Sequence, residues 1–425
     1  MTSPYLLLWI VGGILLQLTI YLGIRFGRHW TSYQTLRLGI SSGELPVKPH
    51  SAPLEIENAK LTWPGLRDLK VSHKVFEDAT QQICSFHLVP QDGQALAPFL
   101  PGQYLTFRLD VPTLAGDRAP LIRCYSLSDA PHANGYRVSI KRAPAPANSP
   151  HASASASHFF HDQVQVGTLL QVRAPAGHFH LDHGDAPVVL IGGGIGITPL
   201  LSMLKGCVAS QPAREIWLFY GVRNSSELMA QPQLEALAAQ HPNFHLNFCF
   251  SDPLATDTAG VNFQHRGRID VALLRRLLPL KPYHLYICGP TPMLESLVPA
   301  LQDWGVPDAR IHFEAFGPAS IQRKKLAVPS ASAEPSQPAD AGVTVSFAKA
   351  GVQLPWQADS GSLLDLAESH GMAVNSGCRA GGCGSCQTTI LSGEVSYLQS
   401  PDFDPEPGTC LLCVCTPKTN VTLEL

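Results

Sequence analysis

Nine residues near the carboxyl end restrict the possible folds of this chain more than any other stretch: Cys378-Arg379-Ala380-Gly381-Gly382-Cys383-Gly384-Ser385-Cys386. The C-x4-C-x2-C spacing lets one tight loop present three thiolates to a [2Fe–2S] cluster, with a fourth supplied from a distance. Such a loop must wrap closely and aim N–H groups at sulfide, and Gly381, Gly382 and Gly384 give the backbone that freedom. A disulfide staple and a zinc site are the competing uses of clustered cysteines, and the spacing favours the cluster. On spacing alone Cys410, Cys413 and Cys415 each qualify as the distant ligand. The chain has 11 cysteines, and those outside the four-ligand set are scattered, which argues for a reducing compartment.

A length of 425 residues has room for about three domains. The formal charge of −3 provides no basic surface of the kind nucleic acid requires, so no nucleic-acid partner is expected. The amino terminus differs from the rest. Residues 4–24 are almost wholly apolar, interrupted by Tyr5, Gln17, Thr19 and Tyr21, and about 20 such residues span a bilayer. Arg25 and Arg28 follow at once, whereas no basic side chain precedes the run. The positive-inside rule then predicts a single-pass anchor in the inner (cytoplasmic) membrane, with the body of the chain on the cytoplasmic side. A cleaved signal peptide would show a basic residue before the run and a small-residue cleavage site after it.

Residues 25–62 read as a juxtamembrane linker. Across 63–183 short apolar runs alternate, as in Ile83–Leu88, Tyr104–Leu109 and Tyr136–Lys141, with turn residues such as Pro101-Gly102 between them. That is the pattern of an antiparallel β-barrel or sandwich. Across 184–318 the rhythm becomes continuous strands (Val188–Ile191, Ile216–Tyr220, His245–Phe250, Leu285–Cys288) separated by helical segments, hence an α/β domain with a parallel sheet. Thr198 reads as a helix N-cap, with Pro199 at the first helical position. Residues 319–342 form a Pro/Ala/Ser linker. Residues 343–425 open with a strand, and Ser362-Leu363-Leu364-Asp365 reads as a capping box for a helix that Gly371 ends.

Arg123-Cys124-Tyr125-Ser126 carries flavin chemistry in its residue types: a guanidinium for phosphate oxygens, a phenol to lie along the ring system, and a hydroxyl for flavin N5. Ile140 and Lys141 follow in the next strand, and Ser155–Asp162 reads as a helix start, where an anion can bind. Gly192-Gly193-Gly194-Ile195-Gly196 follows a strand, although it is not the G-x-G-x-x-G fingerprint. Cys288-Gly289-Pro290-Thr291-Pro292-Met293 ends a later strand.

With these motifs in order, residues 63–425 resemble the ferredoxin–NADP reductase superfamily, in its three-module members ordered flavin, nicotinamide and plant-type [2Fe–2S] ferredoxin. Hybrid-cluster-protein reductases and oxygenase reductases share that order, and the first two modules resemble those of flavohaemoglobins. The resemblance implies a multidomain fold: an antiparallel β-barrel, a parallel α/β domain, an α+β β-grasp domain and, from the sequence, one N-terminal transmembrane helix. It implies that Arg123, Tyr125 and Ser126 contact the flavin, that Ile140 and Lys141 lie in a flavin-binding strand, and that Ser157 touches phosphate. Family members usually carry a glycine a few residues before that serine, where this chain has Ala154 in an Ala/Ser-rich run. Gly193, Gly194, Gly196 and Thr198 would form the nicotinamide loop, with Cys288, Gly289, Pro290 and Met293 beside the nicotinamide. Ser126 and Cys288 would flank the hydride path, and Phe316 would cover the flavin. Arg223 would lie at the adenosine ribose. The family's C-x-x-x-P pattern selects Cys413 to complete Cys378, Cys383 and Cys386.

The implied activity is that of an NAD(P)H-dependent flavin/iron–sulfur oxidoreductase. FAD is expected, with FMN as the alternative, and either NADH or NADPH as substrate. The expected acceptor is a partner redox protein, such as a membrane oxygenase or desaturase. A quinone or other small acceptor is a second reading, and a redox sensor built on the cluster is a third. His178, His180, His183 and Asp182 supply no full ligand set and read as loop residues.

Overall fold

The computed structural model describes residues 17, 63–112, 118–143, 156–316, 343–357, 360–372 and 374–425, less 375, 378, 380, 383, 399, 400 and 402. The anchor expected at 4–24, apart from Gln17, lies outside these, as do both linkers, Cys378 and Cys383. Among the described residues no helix is long and apolar enough to cross a membrane.

The alternating segment builds six strands: β1 (Arg67–Phe76), β2 (Ile83–Pro90), β3 (Tyr104–Pro112), β4 (Arg118–Ser126), β5 (Tyr136–Lys141) and β6 (Leu169–Val172). They pair antiparallel in the order β4-β3-β6-β1-β2-β5. A bridge between Leu127 and Val138 brings the two outer strands of this sheet together. Period-two alternation turns Phe86, Leu88, Leu105 and Phe107 inward, where they are buried. Helix α1 (Ala156–Asp162) adds Phe160, whose ring meets Phe107 edge-on at 5.3 Å and Tyr125 at 5.2 Å. Burying each such side chain contributes about 1.5–3 kcal/mol, so Tyr125 of the Arg-x-Tyr-Ser motif is held by the core itself.

The second sheet is parallel throughout, in the order β10-β9-β8-β7-β11-β12. Its strands are β7 (Val188–Gly193), β8 (Ile216–Val222), β9 (Phe244–Phe250), β10 (His265–Arg266), β11 (His284–Gly289) and β12 (Ile311–Ala315). Both neighbours of β7 come later in the chain, so the order reverses there. The carboxyl edge beside β7 is the switch point at which open α/β sheets bind ligands. Helices α2 (Ile197–Ser210), α3 (Gln231–Gln240), α4 (Val271–Leu277) and α5 (Thr291–Asp303) make the connections. The N-cap expected at Thr198 stands two residues earlier, at Gly196. A 3₁₀ turn over Gly194–Gly196 runs directly into α2, so Thr198 lies inside the helix and its Oγ1 donates to the Ile195 carbonyl at 3.0 Å.

In the last segment β13 (Thr344–Phe347), β14 (Val352–Pro355), β15 (Gln387–Ser392), β17 (Thr409–Leu411) and β19 (Val421–Leu423) form a mixed sheet ordered β14-β13-β19-β15-β17. Strands β16 (Val395–Tyr397) and β18 (Cys415–Pro417) pair separately. Helix α6 (Leu363–Ser369) opens with the expected capping box, Ser362 and Asp365 each accepting from the other's backbone N–H, and Gly371 follows its end at φ +75°. Leu363, Leu364, Leu366 and Ala367 bury the helix against the cysteine-bearing turn.

Candidate functional site

A cavity of about 450 Å³ lies where the three segments meet. The first sheet contributes Tyr104, Arg123, Cys124, Tyr125, Ser126, Ser139, Ile140 and Lys141 to its wall, the second Ile195, Thr198, Glu314, Ala315 and Phe316. The cysteine loop contributes Ser376, Gly377 and Arg379. Strand pairing makes the first group contiguous, because Arg123 to Ser126 end β4 and Ile140 and Lys141 end β5. The Ser139 hydroxyl behind them bonds to Ser85 at 2.6 Å and Ser128 at 2.8 Å, which fixes that wall. Burial pushes the Tyr125 phenol well up, so it remains protonated.

The nicotinamide-loop residues form a tight knot at the edge of this cavity. A Cβ on Gly196 would stand 2.2 Å from the Cys288 carbonyl oxygen, and one on Gly193 2.7 Å from Met293 Sδ. Gly289 is equally crowded, 2.6 Å from Met293 Cε. Pro290 caps α5 and packs on Gly193. Cys288 is fully buried, and burial followed by the Glu314 charge pushes its thiol well up. It is therefore a neutral group behind the wall rather than a nucleophile on it. Thr198 and Phe316 do line the cavity, and Phe316 also packs on the core around β7 and β8.

Two predicted residues stand apart. Ser157 is buried, and its hydroxyl accepts the Ala143 N–H at 3.0 Å. Because α1 has only 7 residues, the expected anion site at its start is not carried by the helix. Arg223, just past β8, is exposed, and its Nε donates to Glu227 at 2.6 Å.

At the other end, Cys386 Sγ and Cys413 Sγ approach to 3.1 Å from positions 27 residues apart. That is too long for a disulfide near 2.05 Å. Cys410 and Cys415 are also buried but face each other, and their hydrogen bond together with burial pushes the Cys415 thiol well up. Arg379 adopts φ +54° and is held by Glu368 and by Ser376 Oγ at 3.3 Å. Among the described residues no group of His, Cys, Asp and Glu forms a further metal site.

Reasoning from the sequence missed Tyr104, Glu314 and Arg379 as cavity residues. Glu314 carried one usable signal, an acidic residue at the carboxyl end of a parallel strand.

The arrangement suits a flavin beside a nicotinamide, with cations, hydroxyls and an aromatic ring around a cavity and a paired-sulfur turn at its side. Residues 190–298 match the family described as oxidoreductase NAD-binding domain, and residues 347–418 the family described as 2Fe-2S iron-sulfur cluster binding domain. The flavohem-like FAD/NAD-binding domain of nitric oxide dioxygenase from Vibrio cholerae O1 biovar El Tor is 32% identical with a TM-score of 0.52. That match covers 60% of this chain and 100% of the domain. The flavohemoprotein of Halalkalibacterium halodurans is 36% identical over 266 residues, and this chain spans 62% of itself and 63% of that protein. A type IV self-sufficient cytochrome P450 monooxygenase shares the fold over 85% of this chain and 41% of its own, at 23% identity and a TM-score of 0.52.

The fold and site define a flavin- and nicotinamide-dependent oxidoreductase. The chain belongs to the ferredoxin-reductase-type FAD/NAD-binding family and carries a C-terminal [2Fe–2S] domain. FAD, a [2Fe–2S] cluster and NAD(H) are its cofactors and substrate.

Proposed function

We propose that this chain is a membrane-anchored NAD(P)H-dependent reductase that delivers electrons through flavin and cluster to a separate redox protein of the oxygenase or desaturase kind. The observation that carries this reading is the shared cavity, whose wall comes from the flavin strands, the nicotinamide loop and the cysteine loop together. The flavin, when bound, accepts a hydride and releases electrons singly, which a nicotinamide and an iron–sulfur cluster cannot do for each other.

Each residue group then has a role. Arg123 and Lys141 supply positive charge for the flavin phosphates, Tyr125 and Phe316 flank its ring, and Ser126 meets its reactive edge. Ile140 shapes the strand beside it, and Ser157 fixes the following turn. Gly193, Gly194, Gly196 and Thr198 leave room for the nicotinamide pyrophosphate. Cys288, Gly289, Pro290 and Met293 set the depth of the nicotinamide pocket. Cys378, Cys383, Cys386 and Cys413 ligate the cluster, and the Cys386–Cys413 approach supports Cys413 over its two neighbours. The modules correspond to 63–183, 184–318 and 343–425, and residues 4–24 anchor them at the cytoplasmic face of the inner membrane.

NADH is favoured over NADPH. Arg223 is already paired with Glu227, and a carboxylate in the turn that follows this strand suits a ribose hydroxyl and repels a phosphate. Glu227→Gln is expected to raise kcat/KM for NADPH about tenfold relative to NADH, about 1.4 kcal/mol.

The test uses membranes carrying the full chain. NADH-driven reduction of a haem or iron protein, with the activity lost from the membrane fraction when residues 4–24 are deleted, is the expected result. Turnover with a soluble quinone and with no metalloprotein would replace this reading with small-acceptor reduction. Failure of NADH to bleach the cluster would leave a sensor.

A further inference from the structure

Arg173 follows β6 in the flavin segment, and its guanidinium carbon lies 4.8 Å from the centre of the Phe403 ring in the carboxyl-terminal segment. Phe403 holds the cysteine loop in two ways. Its backbone N–H donates to the Gly381 carbonyl at 3.0 Å. Its ring covers Gly384, where a Cβ would stand 2.7 Å from Cζ. Gly381 and Gly384 bracket Cys383 in the sequence. On its other side the Arg173 N–H donates to the Thr106 carbonyl at 2.9 Å, and Thr106 Oγ1 touches Cys124 Sγ at 3.3 Å. Cys124 belongs to the motif that walls the cavity. A continuous series of contacts thus links the flavin motif to the cluster loop through one cation–aromatic pair.

We propose that Arg173 is a positioning residue: its contact with Phe403 holds the backbone at Gly381 and Gly384 in place and thereby sets the rate at which the cluster receives electrons. The proposal rests on the electron-transfer reading above. A guanidinium over an aromatic face is a directional attraction that a neutral side chain of similar length does not reproduce. Electron transfer slows steeply with separation, so a modest loosening of the loop is amplified in the rate. The balance of the reaction is unaltered: NADH loses one hydride and becomes NAD⁺, one proton goes to solvent, and the two electrons pass through the one-electron cluster singly, the first leaving to the acceptor redox protein before the second arrives. Arg173 gains and loses neither electron nor proton.

The experiment compares holoenzyme of wild type, Arg173→Ala, Arg173→Lys, Phe403→Leu and Phe403→Tyr at matched cluster content. Under anaerobic stopped flow with NADH, flavin bleaching is expected to stay within about twofold of wild type in all five. Cluster bleaching is expected to slow at least about fivefold in Arg173→Ala and Phe403→Leu and to be retained in Arg173→Lys and Phe403→Tyr. Independently of turnover, hydrogen exchange of the 401–411 segment without NADH should accelerate at least about threefold in Arg173→Ala. Wild-type bleaching and wild-type exchange in Arg173→Ala would overturn the proposal. If NADH fails to bleach the cluster even in wild type, the functional reading has failed, and unchanged exchange alone overturns the latch.

Discussion

Two loops of the candidate site each turn on one glycine, Gly196 and Gly384, and the two are glycine for different physical reasons. In the Gly192–Gly196 turn, Gly194 takes φ +55° with open space around it, but Gly196 must be glycine because other backbone is in the way. Gly196 has an ordinary φ of −60°, yet a Cβ there would strike the Cys288 carbonyl at 2.2 Å. The Gly381–Gly384 loop needs glycine because of its own conformation, with Gly384 at φ +74°, and because the Phe403 ring lies against it. The first loop is locked by the sheet it belongs to. The second takes its position from a phenylalanine that also meets another segment through Arg173. A parallel-sheet edge can therefore build its half of the site alone, whereas the cluster loop depends on neighbours across the molecule.

The comparison is broken most forcefully at the sulfurs. Cys413→Ser is expected to remove nearly all cluster absorbance, while Cys410→Ser and Cys415→Ser retain most of it, because Cys413 Sγ lies 3.1 Å from Cys386 Sγ whereas Cys410 and Cys415 hydrogen-bond to each other. Full cluster retention in Cys413→Ser would show that the turn supplies a different ligand. The glycines come next. Gly196→Ala is expected to cost about 1–3 kcal/mol in thermal or denaturant unfolding, since Cys288 and α2 must move apart. It should also raise the KM for NADH while leaving cluster absorbance intact. Gly384→Ala should do the reverse, lowering cluster content and leaving the KM for NADH unchanged. Equal effects of both substitutions on both readouts would erase the distinction.

The smallest effect is on pH dependence. Burial holds the His161 and His87 imidazoles below their ordinary value of 6.5. The folded chain thus refuses protons that the unfolded chain binds near that pH, so the stability is present above 6.5 and lost as pH falls below it. Melting temperature is expected to drop by about 2–4 °C between about pH 7 and pH 5.5. His161→Gln should flatten that slope; an unaltered slope would mean the histidine is not buried neutral.

Sequence periodicity located the strands whose burial is regular. Ile83–Leu88, Tyr136–Lys141 and Val188–Ile191 match β2, β5 and β7 within two residues at each end. It passed over β1, whose outward residues are mostly charged or polar, the two-residue β10, and the three-residue strands β16 to β19 of the cysteine-bearing segment, which are too short to show a period. Motifs located Arg123–Ser126, Lys141, Thr198 and Phe316 at the cavity because each ends a strand or opens a helix there. They could not locate Arg379 or Glu314 as partners across that space, nor the pairing of Arg173 with Phe403. Those contacts join residues 230 positions apart in the case of Arg173 and Phe403, and no local pattern encodes them. The helix cap at Thr198 was misplaced because the preceding glycines form a 3₁₀ turn that extends the helix backwards.

The central claim is that one chain carries electrons from nicotinamide through flavin to the cluster. Anaerobic addition of one equivalent of NADH to the holoenzyme, followed by absorbance and by low-temperature electron paramagnetic resonance, tests it most directly. The account predicts that flavin absorbance falls first and that a reduced [2Fe–2S] signal then appears within the same turnover. A fully reduced flavin beside a cluster that stays oxidised and silent would contradict it.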